Sequence, residues 1–140
     1  MKNTKKDHQP TLQDIEALTS FLPRLYAPGF SPVVKWEGGK NKDGTYTMPY
    51  PTYDPLVDEF SRAVSRRGWL DYEYNPEQAW KMIKDEHFIK TATLSQIKTM
   101  LTFCVRGERF SDGHWEQMIK EGHVRRLLER LNVIKSELQK

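Results

Sequence analysis

The sequence has little cysteine, little excess charge and no long apolar run. Its single cysteine, Cys104, cannot form an internal disulfide, which fits a reducing compartment. No continuous apolar stretch is long enough for a signal peptide or a membrane span, so we expect a cytoplasmic protein that does not enter a membrane. The 22 Lys and Arg residues nearly balance the 19 Asp and Glu residues, so the net charge of +3 does not by itself indicate a nucleic-acid partner.

Sequence motifs of catalysis and of metal binding are also lacking. The four histidines show no metal-ligand spacing, and the chain contains no Walker loop, no His-Glu-x-x-His and no dinucleotide-type glycine pattern. Cys104 continues the apolar stripe of a predicted helix, which indicates a buried small side chain rather than a nucleophile. We therefore predict no catalytic residue, no metal site and no cofactor, and we favour a protein that is not an enzyme.

What the chain does contain is enough apolar material for one core. Its 140 residues have the usual length of one domain, and six Phe, six Tyr and four Trp supply large side chains for burial. We predict a single helical domain over residues 11–140, preceded by a flexible basic tail over residues 1–10.

Start and stop signals place helices along most of that domain. Asp54-Pro55 is typical of a helix start, and Pro23 ends an apolar stripe that predicts a first helix over residues 11–22. Helices near 93–106 and 122–138 have the clearest stripes and should form the centre of the core. The predicted fold class is mainly α, a compact bundle of five or six helices.

Residues 33–48 break the helical pattern. Two short runs of β-forming residues flank a loop rich in Gly, Asn and Asp, which predicts a small β hairpin. Pro49 and Pro51 follow these runs and cannot donate hydrogen bonds to a central sheet, so we expect them in extended chain beyond the hairpin.

The most distinctive segment is the connection from Val105 to Gly113. Arg106 and Arg109 can form a forked site for phosphate or carboxylate, assisted by N–H groups at the start of the next helix. Alternatively, Arg106 caps the preceding helix, Arg109 pairs with an acidic neighbour and Phe110 fills the core. The sequence leaves both interpretations open.

Residues from about Trp36 to Leu131 resemble a family of bacterial and archaeal proteins known only as a domain of unknown function. The most specific part of this resemblance is Arg106-x-x-Arg109-Phe110-x-x-Gly113, with Glu108 before the second arginine. The other matching positions are Tyr50-Pro51-x-Tyr53-x-Pro55, Phe60, Gly68-Trp69, Trp80, Gly122 and Leu127-Leu128-x-x-Leu131. The family has no assigned activity, so the resemblance implies no catalytic residue.

Tyrosine and tryptophan are concentrated in the middle of the chain. Their flat apolar faces and polar edges suit a groove for a base, a sugar or a peptide, although they can equally thicken a small core. Our leading hypothesis is a non-catalytic binding or interaction module whose contact surface contains Arg106, Arg109, Tyr50, Tyr53 and Trp80. Its partner would be an unidentified protein or a small anionic ligand, and exposed aromatic residues would favour a homodimer.

The two predicted C-terminal helices support an alternative, a nucleic-acid-binding protein. A helix-glycine-helix run places His123, Arg125, Arg126 and Arg130 off the apolar stripe, where they can contact phosphates. The bulky Met118 disfavours a helix-turn-helix, and an amphipathic hairpin with a solvated charged side explains the same pattern. A third hypothesis is an enzyme that acts on an anionic small molecule at the arginine pair.

Overall fold

The computed structural model describes residues 9–66, 68–109 and 111–140. The described part contains eight helices and one antiparallel hairpin, in the following order: α1 (Leu12–Thr19), α2 (Phe21–Leu25), β1 (Val33–Lys40), β2 (Tyr46–Tyr53), α3 (Pro55–Val64), α4 (Pro76–Lys84), α5 (Glu86–Lys90), α6 (Leu94–Gly107), α7 (His114–Lys120) and α8 (His123–Leu138). The predicted mainly helical fold with a small hairpin is confirmed. The helices α2 and α5 have five residues each, and the six longer helices match the predicted number.

The first helix is shorter than predicted and is followed by a second. The apolar stripe over residues 11–22 is divided at Ser20, and Pro23 lies inside α2 instead of ending a helix. Proline is tolerated there because the first turn of a helix has no internal partner for its N–H groups. Residues 1–8, which form most of the predicted flexible tail, lie outside the described part of the chain.

Several helices begin where the sequence predicts, because a polar side chain caps each start. Asp54 accepts a hydrogen bond from the N–H of Leu56 at 2.9 Å and so starts α3. Thr93 and Gln96 form the reciprocal capping box of α6, with side-chain to backbone distances of 3.2 and 2.9 Å. These bonds satisfy N–H groups that a helix cannot satisfy internally, so the start is specified within a few residues.

The core lies between α6 and α8, as predicted. The helix α8 packs against α1, α2, α5, α6 and α7, while α6 also contacts α3 and α4. Leu101 of α6 and Leu128 of α8 are fully buried. Phe60 joins α3 to the same core through edge-to-face contacts with Phe21 and Trp115, at ring distances of 5.2 and 5.5 Å.

The hairpin is longer than the predicted range of 33–48. Strand β2 continues to Tyr53 and includes Pro49 and Pro51, with Pro51 opposite Trp36. In a two-stranded sheet every strand is an edge strand, so a proline whose missing N–H faces outward costs no ladder bond. The outer part of the hairpin extends into solvent, where Tyr46 and Met48 are 65% and 73% exposed.

Candidate functional site

A cleft of about 460 Å³ opens between α4, α6 and α7. We call it the aromatic cleft; it is lined by Pro76, Glu77, Trp80, Phe103, His114, Gln117 and Met118. Helical spacing explains this set, because side chains three and four residues apart share a helix face. Each of the two outer helices contributes such a group, and α6 contributes the ring between them.

Stacked rings form one wall of the aromatic cleft. The rings of Trp80 and Phe103 are stacked, with centroids 5.6 Å apart and planes 22° apart. His114 packs edge-on against Phe103 at 5.1 Å, and His123 packs edge-on against Trp80 at 5.8 Å. Four rings from four helices, α4, α6, α7 and α8, therefore form a continuous row. The rings of Trp80, Phe103 and His114 give this side of the cleft an aromatic lining.

His114 is the polar group of this wall. Its side chain is buried, and its Nε2 atom forms no hydrogen bond with the described residues. Gly107 makes room for the imidazole, since a Cβ at that position would collide with Nε2. Burial holds the pKa of His114 below its usual value, although the charge of Glu108 and the carbonyl of Phe103 oppose this shift. Burial thus favours the neutral form of the ring.

Arg106 is near the aromatic cleft in sequence but is not among the residues that line it. It follows Phe103 by three residues on α6, so the two side chains share a helix face. Its guanidinium carbon lies 5.7 Å from the centre of the Tyr74 ring, just before the start of α4. The side chain is half-buried and forms no hydrogen bond or ion pair within residues 9–66, 68–109 and 111–140.

The N–H groups at the start of α7 are occupied by the protein itself. The carboxylate of Glu108 accepts hydrogen bonds from the N–H of Trp115 at 2.8 Å and of Gly113 at 3.1 Å. It also accepts one from the hydroxyl of Tyr53 at 2.8 Å. These N–H groups are therefore not free to assist an anion site at the arginines, as one interpretation of the sequence expected. Glu108 instead joins the base of the hairpin to α7.

The two arginines of the predicted fork have different surroundings. Arg109 is exposed and forms no ion pair with the described acidic residues, whereas Arg106 is half-buried beside Tyr74. The predicted capping role of Arg106 is replaced by this cation–π contact, which holds the guanidinium over a ring. The predicted core position of Phe110 lies outside the described residues.

The three aromatic candidates are also placed differently. Trp80 lines the aromatic cleft, Tyr53 is committed to its bond with Glu108, and Tyr50 lies on the hairpin opposite Glu37 with 44% of its surface exposed. Of the five residues in the leading hypothesis, Trp80 is therefore the one that lines the cleft.

The arginines of α8 have partners inside the protein. Arg125 pairs with Glu129 one turn along the helix at 3.4 Å, and Arg130 donates a hydrogen bond to the carbonyl of Ala92 at 2.9 Å. The first contact balances a positive charge, and the second uses the guanidinium to join α8 to the start of α6.

His123 and Arg126 are likewise committed to contacts within the fold. His123 is buried against Trp80, and its Nδ1 accepts a hydrogen bond from Arg126 at 2.8 Å. Arg126 also pairs with Glu86 at 3.5 Å. Burial and the nearby guanidinium both lower the pKa of His123. The four residues of the nucleic-acid hypothesis are thus largely engaged with the protein's own groups.

Sequence reasoning missed His114 and Phe103 as site residues. Both lie on apolar helix faces, where a histidine or a phenylalanine ordinarily indicates core. The spacing of three between Phe103 and Arg106 was a usable signal, because it puts an aromatic ring and a cation on one face of α6. The role of His114 depends on tertiary packing that no local pattern specifies.

Further comparisons bear on the whole chain. Among the described residues, no group of three or more His, Cys, Asp or Glu side chains could hold a metal ion, and no helix is long and apolar enough to cross a membrane. No curated protein and no solved structure matches the sequence. The model of a family of unknown function, DUF6508, matches residues 10–137, a longer stretch than the resemblance seen in the sequence. The chain therefore belongs to this family of unknown function.

Proposed function

We propose that the protein is a binding module that holds a small aromatic ligand in the aromatic cleft. The observation that carries this proposal is the set of aromatic rings that lines the cleft, Trp80 from α4, Phe103 from α6 and His114 from α7. Aromatic side chains brought together at a surface opening are typical of sites that bind planar apolar molecules.

The size and chemistry of the aromatic cleft support the same conclusion. Ligand pockets usually have volumes of about 300–1,000 Å³ and combine apolar and aromatic walls with a few polar groups. The cleft of about 460 Å³ falls in this range, and its polar lining is limited to His114, Glu77 and Gln117. A planar ring that stacks on Trp80 or Phe103 fits this surface.

The placement of the α8 arginines favours this function over nucleic-acid binding. A nucleic-acid surface needs cationic side chains that are free to reach phosphates. Arg126 and Arg130 instead serve contacts within the fold, and Glu129 offsets the charge of Arg125.

The test is binding of an uncharged fluorescent probe, N-phenyl-1-naphthylamine, to the purified protein. We expect saturable emission enhancement at one site. Gln117 lines the cleft and is exposed, so Gln117→Phe should fill the cleft without disturbing the core and abolish the enhancement. Lys120→Phe is the matched control, because it adds the same ring to the exposed side of the same helix outside the cleft.

Two results would overturn the proposal. One is the absence of saturable binding to the wild-type protein. The other is equal binding by the wild type and by Gln117→Phe, when thermal denaturation shows that the variant is folded.

A further inference from the structure

We infer that the ligand of the aromatic cleft is a cationic aromatic amine, whose ring packs against the aromatic lining and whose ammonium pairs with Glu77. This inference rests on the proposed function and adds the charge of the ligand to it. It comes from the one acidic side chain that the described residues contribute to the lining, which they provide with no lysine or arginine.

Glu77 lies at the start of α4, on the same side of the helix as Trp80. The two residues are three positions apart, which puts them on one helix face, and both line the cleft. A carboxylate is stabilised in this first turn, because the N-terminal end of a helix carries partial positive charge. The fold therefore presents a negative charge next to an aromatic ring at one side of the cleft.

The carboxylate of Glu77 has no counter-ion in the described chain. It is exposed and forms no ion pair or hydrogen bond with any other residue that the structure describes. Glu116 shows the contrast, because it also lies in the first turn of a helix but pairs with Lys120 at 3.1 Å. The charge of Glu77 is thus available to a ligand of opposite sign.

The rings of the lining favour the same sign of charge. The face of an aromatic ring carries partial negative charge and attracts cations, so Trp80 and Phe103 add to the effect of Glu77. The protein itself contains one such contact, because the ammonium of Lys84 lies 5.3 Å from the centre of the Trp80 ring. An ammonium group therefore suits both the rings and the carboxylate, whereas an anionic ligand suits neither.

The positive charges of the protein determine where the ligand's ammonium lies. Glu77 precedes Trp80 by three residues and Lys84 follows it by four, so the two charged residues lie about one turn to either side of the ring along α4. Arg106 contacts Tyr74 and, like Lys84, does not line the cleft. The ammonium is therefore held at the Glu77 end of the cleft, away from Lys84.

The experiment compares 2-naphthylmethylamine with its neutral isostere 2-naphthylmethanol by isothermal titration calorimetry at about pH 7, where an alkylamine is protonated. For the wild type we expect the amine to bind about three- to fivefold more tightly, a modest preference because Glu77 is exposed. Glu77→Gln should remove this preference. Glu73→Gln, which neutralises an exposed glutamate four residues earlier and outside the lining, is the matched control and should retain it.

The outcomes separate the two proposals. Equal affinities of the wild type for amine and alcohol would refute the inference about charge and leave the binding function standing. A preference that survives in Glu77→Gln, or that does not weaken for the wild type at about 1 M salt, would refute the role of Glu77. If neither compound binds the wild type, both the inference and the proposed function are wrong.

Discussion

Replacing Glu108 by alanine removes the acceptor that joins the hairpin to α7. Its carboxylate accepts three hydrogen bonds, from the Tyr53 hydroxyl at 2.8 Å and from the N–H groups of Trp115 at 2.8 Å and Gly113 at 3.1 Å. A hydrogen bond to a charged group contributes about 1.5–3 kcal/mol, and loss of a helix cap costs about 0.5–2 kcal/mol. Because Glu108 is half-buried, water can replace part of this, and we expect Glu108→Ala to lower the free energy of unfolding by about 2–4 kcal/mol.

Urea denaturation followed by circular dichroism measures this loss, and a double-mutant cycle with Tyr53→Phe assigns it. Tyr53→Phe breaks one of the three bonds and should cost about 1 kcal/mol. The double variant should lose about 1 kcal/mol less than the sum of the single losses, since both single changes break the same bond. A loss below about 0.5 kcal/mol for Glu108→Ala, or losses that simply add, would refute this account of the connection.

Three further predictions concern the helix packing and the buried histidines. Gly107→Ala should lower the free energy of unfolding by about 1–3 kcal/mol in thermal or urea denaturation, because the new Cβ collides with His114. Helix propensity alone predicts the opposite, a gain in stability of about 0.5–1 kcal/mol. A stabilised variant would therefore contradict the packing of His114 against Gly107. Leu101→Ala and Leu128→Ala should each cost about 2–5 kcal/mol, and an unchanged melting temperature would contradict the assigned core. Burial holds the pKa values of His114 and His123 below their ordinary value, so the unfolded chain takes up protons first and stability should fall as the pH drops through about 6.5 towards the folded-state values. A variant with both histidines changed to Gln should lose less stability between about pH 7.5 and 5.5 than the wild type, and an equal loss would show that other groups cause the change.

The parts of the fold that local chemistry specifies could be predicted from the sequence. A capping side chain and the N–H group that it binds are two or three residues apart, so Asp54 and Thr93 mark their helices without knowledge of the tertiary structure. The wrong predictions concern prolines, whose effect on a helix or strand depends on their position within it. Pro23 is compatible with the first turn of α2, and Pro51 is compatible with an edge strand, although proline usually ends such elements.

The candidate site could be predicted only in part. Trp80 was chosen for its residue type, and it lines the aromatic cleft, whereas Arg106, chosen on the same ground, contacts Tyr74 and does not line the cleft. The cleft itself could not be predicted, because its walls come from three helices whose packing brings residues 76–80, 103 and 114–118 together. The acceptor role of Glu108 also depends on tertiary structure, since its partners lie on α7 and at the end of β2.

The central claim is that a planar ligand stacks on the wall formed by Trp80 and Phe103. The four tryptophans provide a direct test, since each gives one indole N–H signal in a ¹H–¹⁵N correlation spectrum and each occupies a different site: Trp36 on the hairpin, Trp69 and Trp115 in the core, and Trp80 in the cleft. On titration with N-phenyl-1-naphthylamine, the account predicts a saturable ring-current shift of the Trp80 signal while the other three signals stay in place. A shift of the Trp36 signal with no change at Trp80 would contradict it.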